Sequence, residues 1–319
     1  MDSGTNDYQG VLRQILFEAV TRLDDEFCEF CSQGGREWYA GSTAIIAVVL
    51  DDHIAVASVG DASGVFSAST GNVDRALMNE WTVLAQEENG LDDELNKIGG
   101  STKGIIYKEV NDSHCPNRPE EKERIHAANG WITHETDIPI ITQFQRMDWG
   151  DRDVLDIFLR CFSDRLNTPA RILNVYRVCG DLAVSRAIGD KEYKAAFNQD
   201  PNGSLGDNEW RSPAPMPYNT YSDIHNEEHT GLFEGDLVIS TPDIRFFELG
   251  AHGTDEFLLI ACDGLWDVID PDDAVRVTRN LLFGVEISAR ECAERLAQIA
   301  KGLGSSDNIT VIVVRFYGK

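Results

Sequence analysis

The chain has 319 residues, 54 acidic against 28 basic side chains and a formal net charge of −26. Its 42% apolar content is that of a folded protein and excludes a disordered chain, while the negative charge excludes sequence-independent binding to nucleic acid or anionic membrane. No run approaches the roughly 18 to 20 apolar residues of a membrane span, and Met1 is followed by Asp2-Ser3-Gly4 rather than a basic and apolar leader, so a soluble monomer of the cytoplasm or nucleus is expected.

Residues 8–31 place Tyr8, Val11, Leu12, Ile15, Leu16, Ala19, Leu23, Phe27 and Phe30 at helical spacing. Residues 41–66 read as two strands, "STAIIAVVL" and "IAVASVGDASGVF", joined at Asp51-Asp52-His53. A polar, acidic stretch follows from about 67 to 115. "RPEEKERIHAANGWI" predicts a short helix stopped at Asn129-Gly130. Within 134–176, "DVLDIFLRCF" predicts a helix between irregular flanks. Residues 191–236, rich in Asn, Pro, Gly, Asp and Tyr, predict a long surface excursion.

Farther along, "DLVISTPDIRFFEL" and "DEFLLIACDGLWDVI" predict strands. "DDAVRVTRNLLF" and "SARECAERLAQIAKGL" predict helices, and "NITVIVVRFY" a closing strand. Strands, then helices, then strands argue for an α+β fold with mostly antiparallel sheets. The seven cysteines (28, 31, 115, 161, 179, 262 and 292) are scattered. Cys28-x-x-Cys31 has no second pair at zinc spacing, so buried or half-buried free thiols are expected.

Three acidic residues share a context. Asp61 ends "IAVASVG", Asp263 ends "FLLIA", and Asp307 precedes "NITVIVVRF". Singly, each is what a turn or a helix cap ordinarily uses. Together, strand-end carboxylates beside Gly60, Gly264 and Ser306 point to convergence at one edge of a sheet core. Neighbouring like charges raise one another's pKa, and a hard divalent cation such as Mg²⁺ or Mn²⁺ relieves them. The rest of the acidic excess reads as a solvated surface. "DVIDPDD" is not an EF-hand loop, lacking the Gly and terminal Glu at the required spacing.

The chain resembles the metal-dependent type-2C protein serine/threonine phosphatases. The resemblance is carried, in the family's order, by "GSTAIIAVVL" (41–50), "ASVGDASGVF" (57–66), "PNRPEEKERIHAANGWI" (116–132), "RVCGDLAVSRAIGD" (177–190), "FLLIACDGLWDVI" (257–269) and "GSSDNITVIVVRF" (304–316). It implies a two-sheet antiparallel β-sandwich flanked by helices. It also implies one phosphatase domain over 1–319, incomplete at its N-terminal end, with insertions at about 134–176 and 191–236, the second where the family carries its flap. By motif position it implies that Asp263 and Asp307 hold a pair of Mg²⁺ or Mn²⁺ ions, and that Asp61 and Asp267 join Asp263 around a third, weaker cation. The implied reaction is attack of a metal-activated water on phosphoserine or phosphothreonine in partner proteins. No side chain beyond the metal ligands is assigned to catalysis, and no cysteine is needed.

Several departures accompany this. The family's phosphate-gripping Arg, a metal-site Glu and the D-G-H-G-G motif have no counterpart in residues 1–10. Missing strands predict an unpaired inner strand or groove in the sheets. Ser113-His114-Cys115-Pro116 stands where the family has Asp-His-Lys-Pro, and Gly60-Asp61-Ala62-Ser63 where it has Gly-Asp-Ser-Arg. Alongside the phosphatase stands a second reading, a binding or scaffolding module without turnover.

Overall fold

In a computed structural model of the chain, residues 5–33, 38–50, 52–70, 80–84, 104–137, 146–165, 173–197, 233–251 and 254–317 are described. Helix α1 (Thr5–Ser32) covers the predicted N-terminal helix. Leu16, Val20, Cys28 and Cys31 form its buried stripe, and Leu16 packs on Ala55, Ala57 and Ile244. Tyr8, Val11, Ile15, Leu23 and Phe30 remain exposed on other sides.

The strands follow in order. These are β1 (Gly41–Ser42), β2 (Ala44–Leu50), β3 (His53–Val59), β4 (Ser63–Thr70), β5 (Thr82–Leu84) and β6 (Gly104–Glu109). Helix α2 (Pro119–Ala127) leads to β7 (Ile132–Asp137), then α3 (Arg152–Arg165), β8 (Leu173–Val178) and β9 (Ile188–Gly189). Strands β10 (Asp243–Glu248) and β11 (Thr254–Ala261), helices α4 (Pro271–Arg279) and α5 (Ala289–Gly302), and β12 (Val311–Arg315) complete the series.

Two sheets carry the fold, one ordered β10-β3-β2 and the other β12-β11-β4-β6-β5, with antiparallel pairing in both. Alternation along β3 sends Ile54 and Val56 into the space between the sheets, where they meet Phe66, Ile106, Phe247, Leu258 and Ile260. Ala55 and Ala57 face α1 on the outside. Strand β11 is buried on both faces. Leu258 and Ile260 face the other sheet, while Phe257, Leu259 and Ala261 meet residues of α3, α4 and α5. That explains its uninterrupted apolar run. The arrangement is the expected α+β sandwich with helices outside.

Local readings differ in four places. Residues 41–66 hold β1, β2, β3 and the start of β4 rather than two strands, and Gly60, at φ +96°, turns the backbone between β3 and β4. The polar stretch from 67 onward contains the end of β4 and all of β5 and β6. Ser67, Ser69 and Thr70 are buried there, and small hydroxyl residues in a hydrogen-bonded strand mask the usual alternation. Described parts of the flanks of α3 are strand as well, β7 pairing with β8 from Ile132↔Val178 to Asp137↔Leu173. Of the 191–236 excursion, residues 198–232 lie outside the described residues. Its start is no surface loop, since Lys191, Tyr193 and Lys194 are buried and Lys194 pairs with Asp24 of α1.

Both sheets end in an apolar edge. Strand β2 stands at one end of its sheet and β12 at the end of the other. No residue of either strand is fully buried, and Val49 (46%) and Ile312 (52%) are open to solvent. Ile45 and Ala47 of β2, and Val314 and Phe316 at β12, border the same inter-sheet core. Among the described residues each of these two strands pairs on one side only. No helix among these residues is long and apolar enough to cross a membrane.

Candidate cation site

Strand register decides where the acidic residues emerge. Ala261 at the end of β11 pairs with Ser63 at the start of β4 and with Val311 at the start of β12. Asp61 lies two residues before Ser63, Asp263 two residues after Ala261, and Asp307 four residues before Val311. Three neighbouring strands therefore deliver all three to one end of the sheet.

The loops are stitched together there. Asp263 opens a one-turn helix, Asp263–Trp266, and its Oδ1 accepts the Gly264 N–H at 2.8 Å. One turn later the Asp267 N–H donates to the Asp263 carbonyl. The indole Nε1 of Trp266 lies 3.1 Å from the carbonyls of Ser63 and Ala261, tying this turn to the start of β4 beside Asp61. The Ser305 hydroxyl donates to the Gly264 carbonyl at 2.7 Å. A Cβ on Gly264 would sit 2.3 Å from the Asn308 carbonyl oxygen. Only glycine lets the Asp263 turn approach the Asp307 loop this closely, which gives the Gly of "CDG" its reason.

The charges bear on one another as the geometry requires. Burial, and after it the charge of Asp263, push the Asp61 carboxyl up to about 6, with Asp267 and Asp307 adding to the effect. Asp263 is raised as well, by burial and then by Asp307. These are carboxylates held together at an electrostatic cost, with oxygen donors of the kind that suit a hard divalent cation. Among the described residues no three His, Cys, Asp or Glu side chains stand at ready-made ligand spacing. The donor chemistry fits Mg²⁺ or Mn²⁺, and the ligand set is open.

All four predicted residues, Asp61, Asp263, Asp267 and Asp307, are thus brought to one place. Two buried side chains that sequence reasoning left unassigned reach the same spot. Asn111 Nδ2 donates to the Ala62 carbonyl at 2.9 Å, and His114 Nδ1 lies 3.1 Å from the Gly60 nitrogen. Their only sequence signal was the unusual Ser113-His114-Cys115-Pro116. The six described cysteines are free thiols, four of them buried and Cys115 and Cys262 partly so. Burial raises Cys28 to about 11 and Cys179 and Cys292 to about 12, which suits packing residues rather than nucleophiles.

The family model for protein phosphatase 2C matches residues 2–89 and 164–309. "Protein phosphatase 2C 57" of Arabidopsis thaliana is 25% identical over 303 residues, covering 95% of this chain and 56% of the relative. The "Integrin-linked kinase-associated serine/threonine phosphatase 2C" of Homo sapiens is 25% identical over 315 residues, covering 95% and 52%. "Protein spalten" of Dictyostelium discoideum is 36% identical over 186 residues, covering 58% and 14%. The chain spans about half the length of the first two. A crystal structure of serine-threonine phosphatase 2C from Toxoplasma gondii superposes with a TM-score of 0.51 at 19% identity, covering 99% of this chain and 72% of that one, a likeness of fold.

Proposed function

Because this chain belongs to the protein phosphatase 2C family, we propose that it forms the greater part of a single Mg²⁺- or Mn²⁺-dependent domain that removes phosphate from phosphoserine and phosphothreonine in other proteins. The observation that carries this reading is the convergence of Asp61, Asp263, Asp267 and Asp307, with Asp61 raised by burial and then by its acidic neighbours. When bound, divalent cations supply the charge that relieves these carboxylates, acidify water and polarise phosphoryl oxygens. In this reading Asp263 and Asp307 hold the principal cations, and Asp61 and Asp267 join Asp263 around a weaker one. The chain's own contribution is rigidity. The Trp266, Ser305 and Gly264 contacts fix the directions from which the carboxylates approach, and orientation of this kind accounts for much of a catalyst's advantage.

One observation favours the second reading, a binding or scaffolding module. The D-G-H-G-G motif does not occur in the 319 residues, and among the described residues β2 and β12 each pair on one side only. The two readings separate in a hydrolysis assay on a phosphothreonine peptide with millimolar Mn²⁺, run on this chain and on a chain extended upstream to include that motif. Activity is expected in the extended chain and little in the 319 residues alone. Asp263→Asn in the extended chain should cost several kcal/mol, each ~1.4 kcal/mol being tenfold in rate. An extended chain that binds Mn²⁺ but does not turn over would select the scaffold.

A further inference from the structure

His114 is wholly buried on the segment between β6 and α2, and a buried imidazole needs partners for both ring nitrogens. Gly60 and Asp243 provide them. Nδ1 lies 3.1 Å from the Gly60 nitrogen and 3.0 Å from the Gly60 oxygen. That oxygen already accepts the His114 backbone N–H at 3.0 Å, and a proton on Nδ1 would oppose the Gly60 N–H. Nδ1 is therefore the acceptor and Nε2 carries the hydrogen. Nε2 is 3.1 Å from Asp243 Oδ2, close enough to pair although off the line of an ideal hydrogen bond.

Asp243 is itself anchored. Arg186 and Arg118 donate to its two oxygens at 3.0 and 3.2 Å. The close approach of His114 Nε2, with the charge of Arg186, holds the Asp243 carboxyl well below the usual carboxylate range despite burial. An ionised partner at Nε2 selects the tautomer whose Nδ1 lone pair can hold the turn, the logic by which carboxylates orient metal-ligating histidines. Here the imidazole grips backbone. Asn111 grips the other side of the turn through the Ala62 carbonyl, so both neighbours of Asp61 are tied to the same segment. Gly60 adds its own constraint. Its φ of +96° and a Cβ position 2.2 Å from Thr43 Cγ2 leave the backbone one path.

We propose that His114, oriented by Asp243, is a positioning residue that fixes the Gly60–Ala62 turn and with it the direction in which Asp61 presents its carboxylate to Asp263 and Asp267. The proposal rests on the reading of Asp61 as a cation ligand, and two measurements keep the claims separable. Amide hydrogen exchange at Gly60, Asp61 and Ala62 reports the turn. Mn²⁺ binding, followed by water proton relaxation, reports the site. In His114→Leu, exchange at Gly60 should accelerate at least about tenfold and Mn²⁺ affinity should fall about 10- to 100-fold, the range for lost orienting partners. His114→Asn, whose Oδ1 replaces Nδ1 as acceptor, should recover most of both, and Asp243→Asn should shift both in the direction of His114→Leu.

A folded His114→Leu with Gly60 protection and Mn²⁺ affinity within about twofold of the parent would overturn the proposal, as would an affinity loss that His114→Asn does not recover. If the parent binds no Mn²⁺, the cation reading of Asp61 fails, and exchange at Gly60 decides the clamp by itself. Should His114→Leu fail to fold, the comparison of Asp243→Asn with His114→Asn decides, and equal Gly60 protection in both would refute the orienting role.

Discussion

Glu121 is 2% exposed and sits between two guanidinium groups. Arg186 Nε donates to one of its oxygens at 2.9 Å and Arg124 Nη2 to the other at 2.8 Å. Burial would raise its pKa, but these hydrogen bonds and charges outweigh it and hold the carboxyl at about 2. A carboxyl depressed in the folded state stabilises above its unfolded pKa of about 4.5, and that contribution disappears as pH falls through 4.5 toward 2. Glu121→Gln should therefore lose on the order of 3 kcal/mol at neutral pH, the cost of stranding buried charge, and should flatten the acid limb of stability. Urea unfolding at pH 7, 4 and 3 checks it. A variant that keeps the parent's full acid dependence would assign that limb to other carboxylates.

An element at the end of a sheet is open on one side, and among the described residues β2 shows this best. Its sequence AIIAVVL has high β-propensity, no charge, no Pro and no Gly, and it lies at a sheet end. Edges of this kind template further strand pairing unless a charge or bulge blocks them. Val49→Lys places an ammonium at the most open residue of the strand. Thermal stability should move by less than about 0.5 kcal/mol, as for a surface substitution, while concentration-dependent association falls. Light scattering across a dilution series measures the second effect. Unchanged association would clear this edge of responsibility. The alternating pattern of β3 and the double burial of β11 were legible in the sequence. The second half of β4 and the pairing of β7 with β8 were not, because small polar residues and a long separation along the chain carry no periodic signal.

At the scale of the whole molecule, a net charge of −26 repels itself, and the repulsion is a long-range effect that salt screens. The Debye length falls from about 30 Å at 0.01 M to about 10 Å at 0.1 M ionic strength. Melting temperature should rise with NaCl over that range by about 2 to 4 °C, a shift worth roughly 1 kcal/mol in a chain of this size. At equal ionic strength MnCl₂ should raise it further in the parent and not in Asp263→Asn, because a cation that binds the native state alone stabilises it by mass action. Equal responses to the two salts would leave the acidic end of the sheet without a specific cation.

Composition and local pattern determined the fold class, the extents of α1, α4 and α5, and the placing of Asp61, Asp263 and Asp307 at the ends of apolar strands. Those features follow from periodicity and turn chemistry, which act over a few residues. Tertiary structure decided that the three carboxylates leave the sheet at one end. That outcome depends on Ala261 standing in register with both Ser63 and Val311, about 200 and 50 residues away along the chain. It also decided that His114 and Asn111 grip the turn at Asp61, because a buried polar side chain takes the partner that packing places beside it, and no spacing along the chain encodes which one that is.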